Sequence, residues 1–203
     1  MESSLELSEP RLCSNEGTIS VTRRDSSTLP DGIERVLLTE DDIQARVREL
    51  GAELSAHYGC RKPLLVGVLT GAYVFMADLC RAMDIELDVE FMAVSSYGIA
   101  TETSGVVRIL KDLDTAIEGK EVLIVEDIID SGLTLKYLLD VLRRRKPKDI
   151  RVVALLKKIR PDVPPLQVDY LGFEIPDEFV VGCGLDAGRR FRNLPYVAVV
   201  RTA

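Results

Sequence analysis

The chain has 203 residues, 46% of them hydrophobic and 29% charged, which suits one compact domain with enough chain to bury a good core. A net charge of −7 argues against broad electrostatic binding to nucleic acid or to an anionic membrane. Four scattered cysteines, Cys13, Cys60, Cys80 and Cys183, form no CxxC pair and no zinc spacing, so they read as reduced thiols rather than a disulfide framework.

In chain order, residues 1–32 are rich in Ser, Glu, Thr, Arg and Pro and lack apolar periodicity, which predicts a disordered tail before a domain spanning 33–203. The opening MESSLELSEPRL has no basic-then-apolar order of a signal peptide. No apolar run in the chain approaches the roughly 20 residues of a membrane span, so a cytoplasmic protein is predicted. Order is expected from Ile33–Leu38, followed by a helix capped by Thr39, with Asp41 and Asp42 at its positive end and Ile43, Val47, Leu50 and Leu54 on one face.

Leu64–Leu69, bounded by Lys62–Pro63 and Thr70–Gly71, reads as a buried strand, and Ala72–Met83 has helical spacing. Glu90–Val94 reads as a strand. Ser95–Thr103, SSYGIATET, is the longest polar interruption and predicts either a lid or an exposed hairpin connection. Val122–Val125 is a β-branched strand ending in acids, and Leu135–Arg144 a helix with Leu135, Leu138, Leu139 and Leu142 on one face. Arg151–Leu156, Val180–Val181 and Tyr196–Val200 complete the predicted strands. This alternation predicts an α/β fold with a mainly parallel sheet flanked by helices, whose ligand sites lie at the carboxyl ends of the strands.

The segment VLIVEDIIDSGLT, Val122–Thr134, concentrates the chemistry. A buried strand runs into the carboxylates of Glu126 and Asp127, then Asp130, then a small-residue turn and a helix. Gly132 permits a tight turn, Ser131 and Thr134 offer hydroxyls, and the N–H groups opening the next helix make an anion site. Glu126 and Asp127 are oxygen ligands of the kind Mg²⁺ or sugar hydroxyls use. Taken alone, acids before Ser-Gly also fit a solvated helix cap. No GxxxxGK[ST] loop and no GxGxxG fingerprint is present, which removes the strongest signals for triphosphate hydrolysis and dinucleotide binding.

That segment resembles the phosphoribosyl-pyrophosphate motif of type I phosphoribosyltransferases, and the resemblance covers most of residues 35–200. It implies the fold of that family, a parallel sheet with a small hood over the base site. It also implies Mg²⁺ as cofactor, with Glu126 and Asp127 near the ribose hydroxyls and the metal. Asp130, Ser131, Gly132, Leu133 and Thr134 would wrap the 5-phosphate, and Asp130 would stand near purine N7 as the proton-transfer residue.

Three later segments resemble the hypoxanthine-guanine branch. ALLKK, Ala154–Lys158, resembles the strand bearing the lysine that donates to a 6-oxo group, with Lys158 the better match and Lys157 the fallback. An ammonium has donors and no acceptor, so it favours 6-oxo over 6-amino purines. GFEIPDEFVVG, Gly172–Gly182, is similar to the family's hood, with Phe179 stacking on the base and Val180 presenting backbone groups to its edge. GLDAGRRFRNLPY, Gly184–Tyr196, resembles the loop supplying Asp186, a magnesium ligand beside the base, and Arg192, a pyrophosphate-binding arginine. Ala187 departs from the aromatic residue the family often has there.

Thr70 and Gly71 fall at the family's pyrophosphate loop, often with lysine in place of Thr70 and with a non-proline cis peptide. Ser96–Tyr97 matches the Ser-Tyr of its flexible lid. The implied partners are a 6-oxopurine base, phosphoribosyl pyrophosphate and further copies of the chain, as a homodimer or homotetramer, with no nucleic acid and no membrane. Two rivals stand beside this: transfer to another base, and an RNA-binding regulator on the same fold. Only the basic run Arg143–Lys148 invites the latter, and it reads more simply as a solvated helix end.

Overall fold

The computed structural model describes residues 29–97, 106–161 and 167–201. Residues 1–28, most of the predicted tail, lie outside these. Leu29–Gly32 lead into strand β1, Ile33–Leu38, and helix α1 follows over Glu40–Tyr58. The cap is the expected one: Thr39 Oγ1 accepts from the Asp42 N–H at 3.2 Å, and the Asp42 carboxylate accepts from the Thr39 N–H at 3.1 Å. This reciprocal box satisfies two donors that a helix start otherwise leaves open.

β2 is Leu64–Leu69, α2 Tyr73–Ala82, β3 Asp88–Tyr97 and β4 Val106–Lys111. β5 spans Glu121–Ile129, α3 Leu133–Arg143, β6 Asp149–Lys158 and β7 Tyr170–Ile175. Val180–Val181 form β8 and Val197–Val200 form β9. The main sheet has the order β4-β3-β2-β5-β6-β7, parallel throughout except for the antiparallel β3–β4 pair at one edge. A small antiparallel sheet, β1-β9-β8, stands apart as the hood.

Burial on both faces explains why the central strands read as continuous apolar runs. Alternate residues serve opposite faces. Leu65, Leu123 and Val153 join Leu50 and Leu54 of α1 and Phe75 and Leu79 of α2 in one core. Val66, Ile124 and Val152 join the four leucines of α3 in the other. The first core continues through Val180, Val197 and Val199, so the hood is packed onto the body.

Three expectations are corrected. The acids Glu126 and Asp127 lie inside β5, which continues to Ile129 instead of stopping at Val125. β3 runs through Ser95, Ser96 and Tyr97, pairing Ser96 with Val107 and Tyr97 with Val106 of β4, so part of the proposed lid is sheet; the rest of that segment, residues 98–103, lies outside the described residues. The stretch Gly172–Gly182 is not all hood, because Tyr170–Ile175 is the edge strand of the main sheet and only Val180–Val181 pairs in the hood.

The basic run Arg143–Lys148 is partly neutralised. Arg145 pairs with Asp112 at 2.7 Å, and Lys148 with Glu121 at 2.8 Å. No helix among the described residues is long and apolar enough to cross a membrane.

Candidate active site

The carboxyl ends of β2, β5 and β6 open on one side of the sheet into two adjoining cavities that share Gly71, Val94, Asp127, Ile128 and Asp130. The first, about 310 Å³, is floored by β5 and by the turn into α3. Gly132 takes a φ of 72° there, a left-handed conformation that strains any residue with a Cβ. α3 has no side-chain cap and no acid in its first turn. Its opening N–H groups, beside Ser131 and Thr134, are thus left for an anion. Leu133 does not line the cavity, and its side chain is largely exposed.

α2 also starts at this place without a side-chain cap or an acid, after the turn at Thr70 and Gly71. The Leu69–Thr70 peptide is cis. A Cβ on Gly71 would lie 1.5 Å from an Asp127 carboxylate oxygen, so any larger residue there must displace that carboxylate. The hood loop closes on the same turn: a Cβ on Gly184 would lie 2.0 Å from the Gly71 carbonyl oxygen.

Burial, and then the neighbouring Asp127, push the Glu126 carboxyl well above the usual carboxylate range. Burial also pushes Asp127 up to about 6, although the Ile128 N–H donates to it at 2.8 Å and Arg192 lies near. Two successive carboxyls near the end of β5 are thus poorly compensated, and each would gain from a cation within reach.

The second cavity, about 520 Å³, lies between β6 and the hood and is lined by Lys158, Phe179, Val180, Asp186 and Arg192. Phe179 is 53% exposed, an unusual state for a large aromatic and one that leaves a ring face open to a flat ligand. Lys158 ends β6 and reaches this cavity, whereas Lys157 pairs with Glu174 at 3.4 Å on β7. Arg192 pairs with Asp186 at 2.6 Å and donates to the Gly184 carbonyl at 2.6 Å, while Asp186 also accepts from the Arg189 N–H at 2.6 Å.

Asp130 sits where the two cavities meet. It accepts from Arg160 at 2.8 Å and from Lys158 at 3.1 Å. Burial alone would raise its carboxyl, but the hydrogen bonds and charges of Arg160 and Lys158 outweigh that and hold it below the usual range.

The structure therefore gathers Glu126, Asp127, Asp130, Ser131, Gly132 and Thr134 on one cavity, and Thr70, Lys158, Phe179, Val180, Asp186 and Arg192 on the other. Ser96 and Tyr97 end β3 at the same edge. Glu126, Asp127 and Asp186 do not assemble into one ligand cluster, and among the described residues no group of three or more such side chains does. The donor set still suits Mg²⁺, which takes one or two carboxylates and completes its shell with water and substrate oxygens. Arg160 and Asp177 were not singled out from the sequence. Both lie just beyond strand ends, Arg160 after β6 and Asp177 after β7, where no local pattern marks them.

Residues 37–187 match the model of the phosphoribosyl transferase domain. The hypoxanthine-guanine phosphoribosyltransferase of Bacillus subtilis (strain 168) is 54% identical over 171 residues, 84% of this chain and 95% of that protein. That of Streptococcus agalactiae serotype V is 47% identical over 173 residues, 85% of this chain and 96% of its own. Among solved structures, a hypoxanthine-guanine phosphoribosyltransferase from Bacillus anthracis superposes with a TM-score of 0.79 at 43% identity, covering 83% of this chain and 99% of that one. A hypoxanthine phosphoribosyltransferase from Staphylococcus aureus gives 0.79 at 45% identity, covering 84% and 92%. The matched domain, these relatives and a shared sheet with two cavities meeting at Asp130 place the chain in the phosphoribosyltransferase family, within its hypoxanthine-guanine branch.

Proposed function

We propose that the chain, through residues 33–203, transfers the 5-phosphoribosyl group of phosphoribosyl pyrophosphate to N9 of hypoxanthine or guanine, giving IMP or GMP and pyrophosphate in purine salvage. The observation that carries this is the placing of Lys158, Phe179 and Asp130 around one cavity that opens directly onto the phosphate turn of α3.

The α3 N-terminus with Ser131, Gly132 and Thr134 binds the 5-phosphate. Thr70, Gly71 and Arg192 take the pyrophosphate. Phe179 stacks on the base, Val180 meets its edge, and Lys158 donates to O6. The C1–pyrophosphate bond breaks as N9 attacks, through a transition state of oxocarbenium character. Asp130, kept ionised by its cations, accepts a hydrogen bond from N7–H, orients the base and receives the proton as N9 bonds. Arg192 meets the charge that grows on the departing pyrophosphate. Glu126, Asp127 and Asp186 are the residues that would hold Mg²⁺, which supplies charge neutralisation of the pyrophosphate oxygens when bound. Ser96 and Tyr97 belong to the lid that excludes water. A cytoplasmic homodimer or homotetramer fits this reading by resemblance to the family.

The test is nucleotide formation from phosphoribosyl pyrophosphate and Mg²⁺ with hypoxanthine, guanine, xanthine and adenine offered separately. Product from the first two and little from adenine is expected. A folded protein inert with all four overturns the reading.

A further inference from the structure

Lys158 and Asp130 are two corners of a larger ring. The Lys158 ammonium lies 3.1 Å from Asp130 Oδ2 and 3.1 Å from Asp177 Oδ1. Arg160 closes the ring, with Nη1 2.8 Å from Asp130 Oδ1 and Nε 3.4 Å from Asp177 Oδ2. Each carboxylate thus gives one oxygen to each cation. The fold sets this up, because Lys158 is in register with Ile175 on the neighbouring parallel strand, and Asp177 follows two residues beyond at the same end of the sheet.

We infer that Asp177 is a positioning residue for 6-oxo recognition, holding the Lys158 ammonium at the base cavity while Asp130 turns to the base. This rests on the reading of that cavity as a 6-oxopurine site. Each oxygen of Asp130 already accepts from one cation in the free protein, so N7–H of an incoming base competes with Lys158 and Arg160 for the same carboxylate. The Lys158 side chain is only 11% exposed, and an ammonium so placed needs a counter-charge. Asp177 keeps one beside it when Asp130 is drawn away. An ammonium has three N–H groups, and with Asp177 beside it as counter-charge one of them is left to turn to O6. Replace Asp177 with a neutral group and Asp130 is the one carboxylate left beside Lys158 among the described residues, so the base and Lys158 compete for it.

The test is steady-state kinetics with Mg²⁺, varying hypoxanthine at saturating phosphoribosyl pyrophosphate and the reverse. Asp177→Asn should raise KM for hypoxanthine about tenfold and leave KM for phosphoribosyl pyrophosphate within about twofold, a split that general structural damage does not produce. Asp177 is 45% exposed, so the variant should melt within a few degrees of the parent. Asp177→Glu restores the carboxylate and should bring the base KM back to within about threefold. An unchanged base KM, equal rises for both substrates, or a Glu variant no better than Asn each overturns the inference while leaving the reaction standing. A parent chain that makes no IMP overturns both.

Discussion

At Asp127 the protein tolerates an ionisable group that its surroundings penalise. Burial dominates, and the carboxyl is pushed from 3.8 to about 6. The sign follows from linkage: the folded chain binds a proton more tightly than the unfolded one, so stability falls as pH rises through that window and stays lower above it, by at most about 3 kcal/mol. Asp127→Asn removes this cost in a nearly isosteric side chain. It should therefore raise the melting temperature of the free protein at pH 8, by roughly 2–4 °C per kcal/mol gained, while cutting turnover by about a hundredfold. A melting curve and a product assay on one preparation check both. Asp130 is the opposite case. Its cations hold it low, so it stays ionised well into acid, and the stability it contributes is lost only as pH falls through that lowered value. Asp130→Asn should reduce kcat by about a hundredfold and leave the acid limb of the pH–rate profile where it was, because that limb belongs to other groups.

Among the elements, α3 joins stability to function. Its apolar side buries Leu135, Leu138, Leu139 and Leu142 against β5 and β6, and its N-terminus faces the cradle. Leu138→Ala should cost about 2–5 kcal/mol in urea unfolding, the range for emptying a fully buried leucine site. This helix and the strand before it were legible in the sequence because both patterns were undiluted: VLIV is buried on two faces, and four leucines repeat at helical spacing. The errors are as instructive. Acids normally close a buried strand, so the pattern ends β5 at Val125, whereas Glu126 and Asp127 stay in the strand, which runs on to Ile129. β4 has no such pattern, since VVRILK does not alternate and its Leu110 is 66% exposed at the sheet edge. β7 was absorbed into the hood because only its last residue, Ile175, is buried. Lys158, Phe179 and Arg192 came from the resemblance to the family, and the structure brings the three to one cavity. Arg160 and Asp177 escaped because their meaning lies in a ring closed between β6 and the approach to β8, which no local pattern encodes.

For the whole molecule, a chain of net charge −7 has gathered Lys158, Arg160 and Arg192 at one mouth. Glu126, Asp127, Asp130 and Asp186 match these cations in the same cavities, so attraction of a polyanionic substrate there depends on a bound divalent cation as well. The apparent second-order rate constant, kcat/KM for phosphoribosyl pyrophosphate, should accordingly fall several-fold between about 0.05 and 0.5 M KCl, with a much smaller change for the uncharged base. Equal salt sensitivity for both substrates would show that the mouth does not steer.

The middle strand of the hood has a consequence for synthesis. β9, Val197–Val200, lies between β1 and β8, so the earliest strand of the domain waits for the latest one before either can be satisfied. A nascent chain emerging from the ribosome can complete the parallel sheet and the phosphate turn well before Val197 appears. Until then Val180 lacks its pairing with Val199, and the Phe179 carbonyl its bond from the Val200 N–H. The ability to bind a sugar phosphate should thus precede the ability to choose a base, and a chain halted just short of Val197 would retain the first without the second.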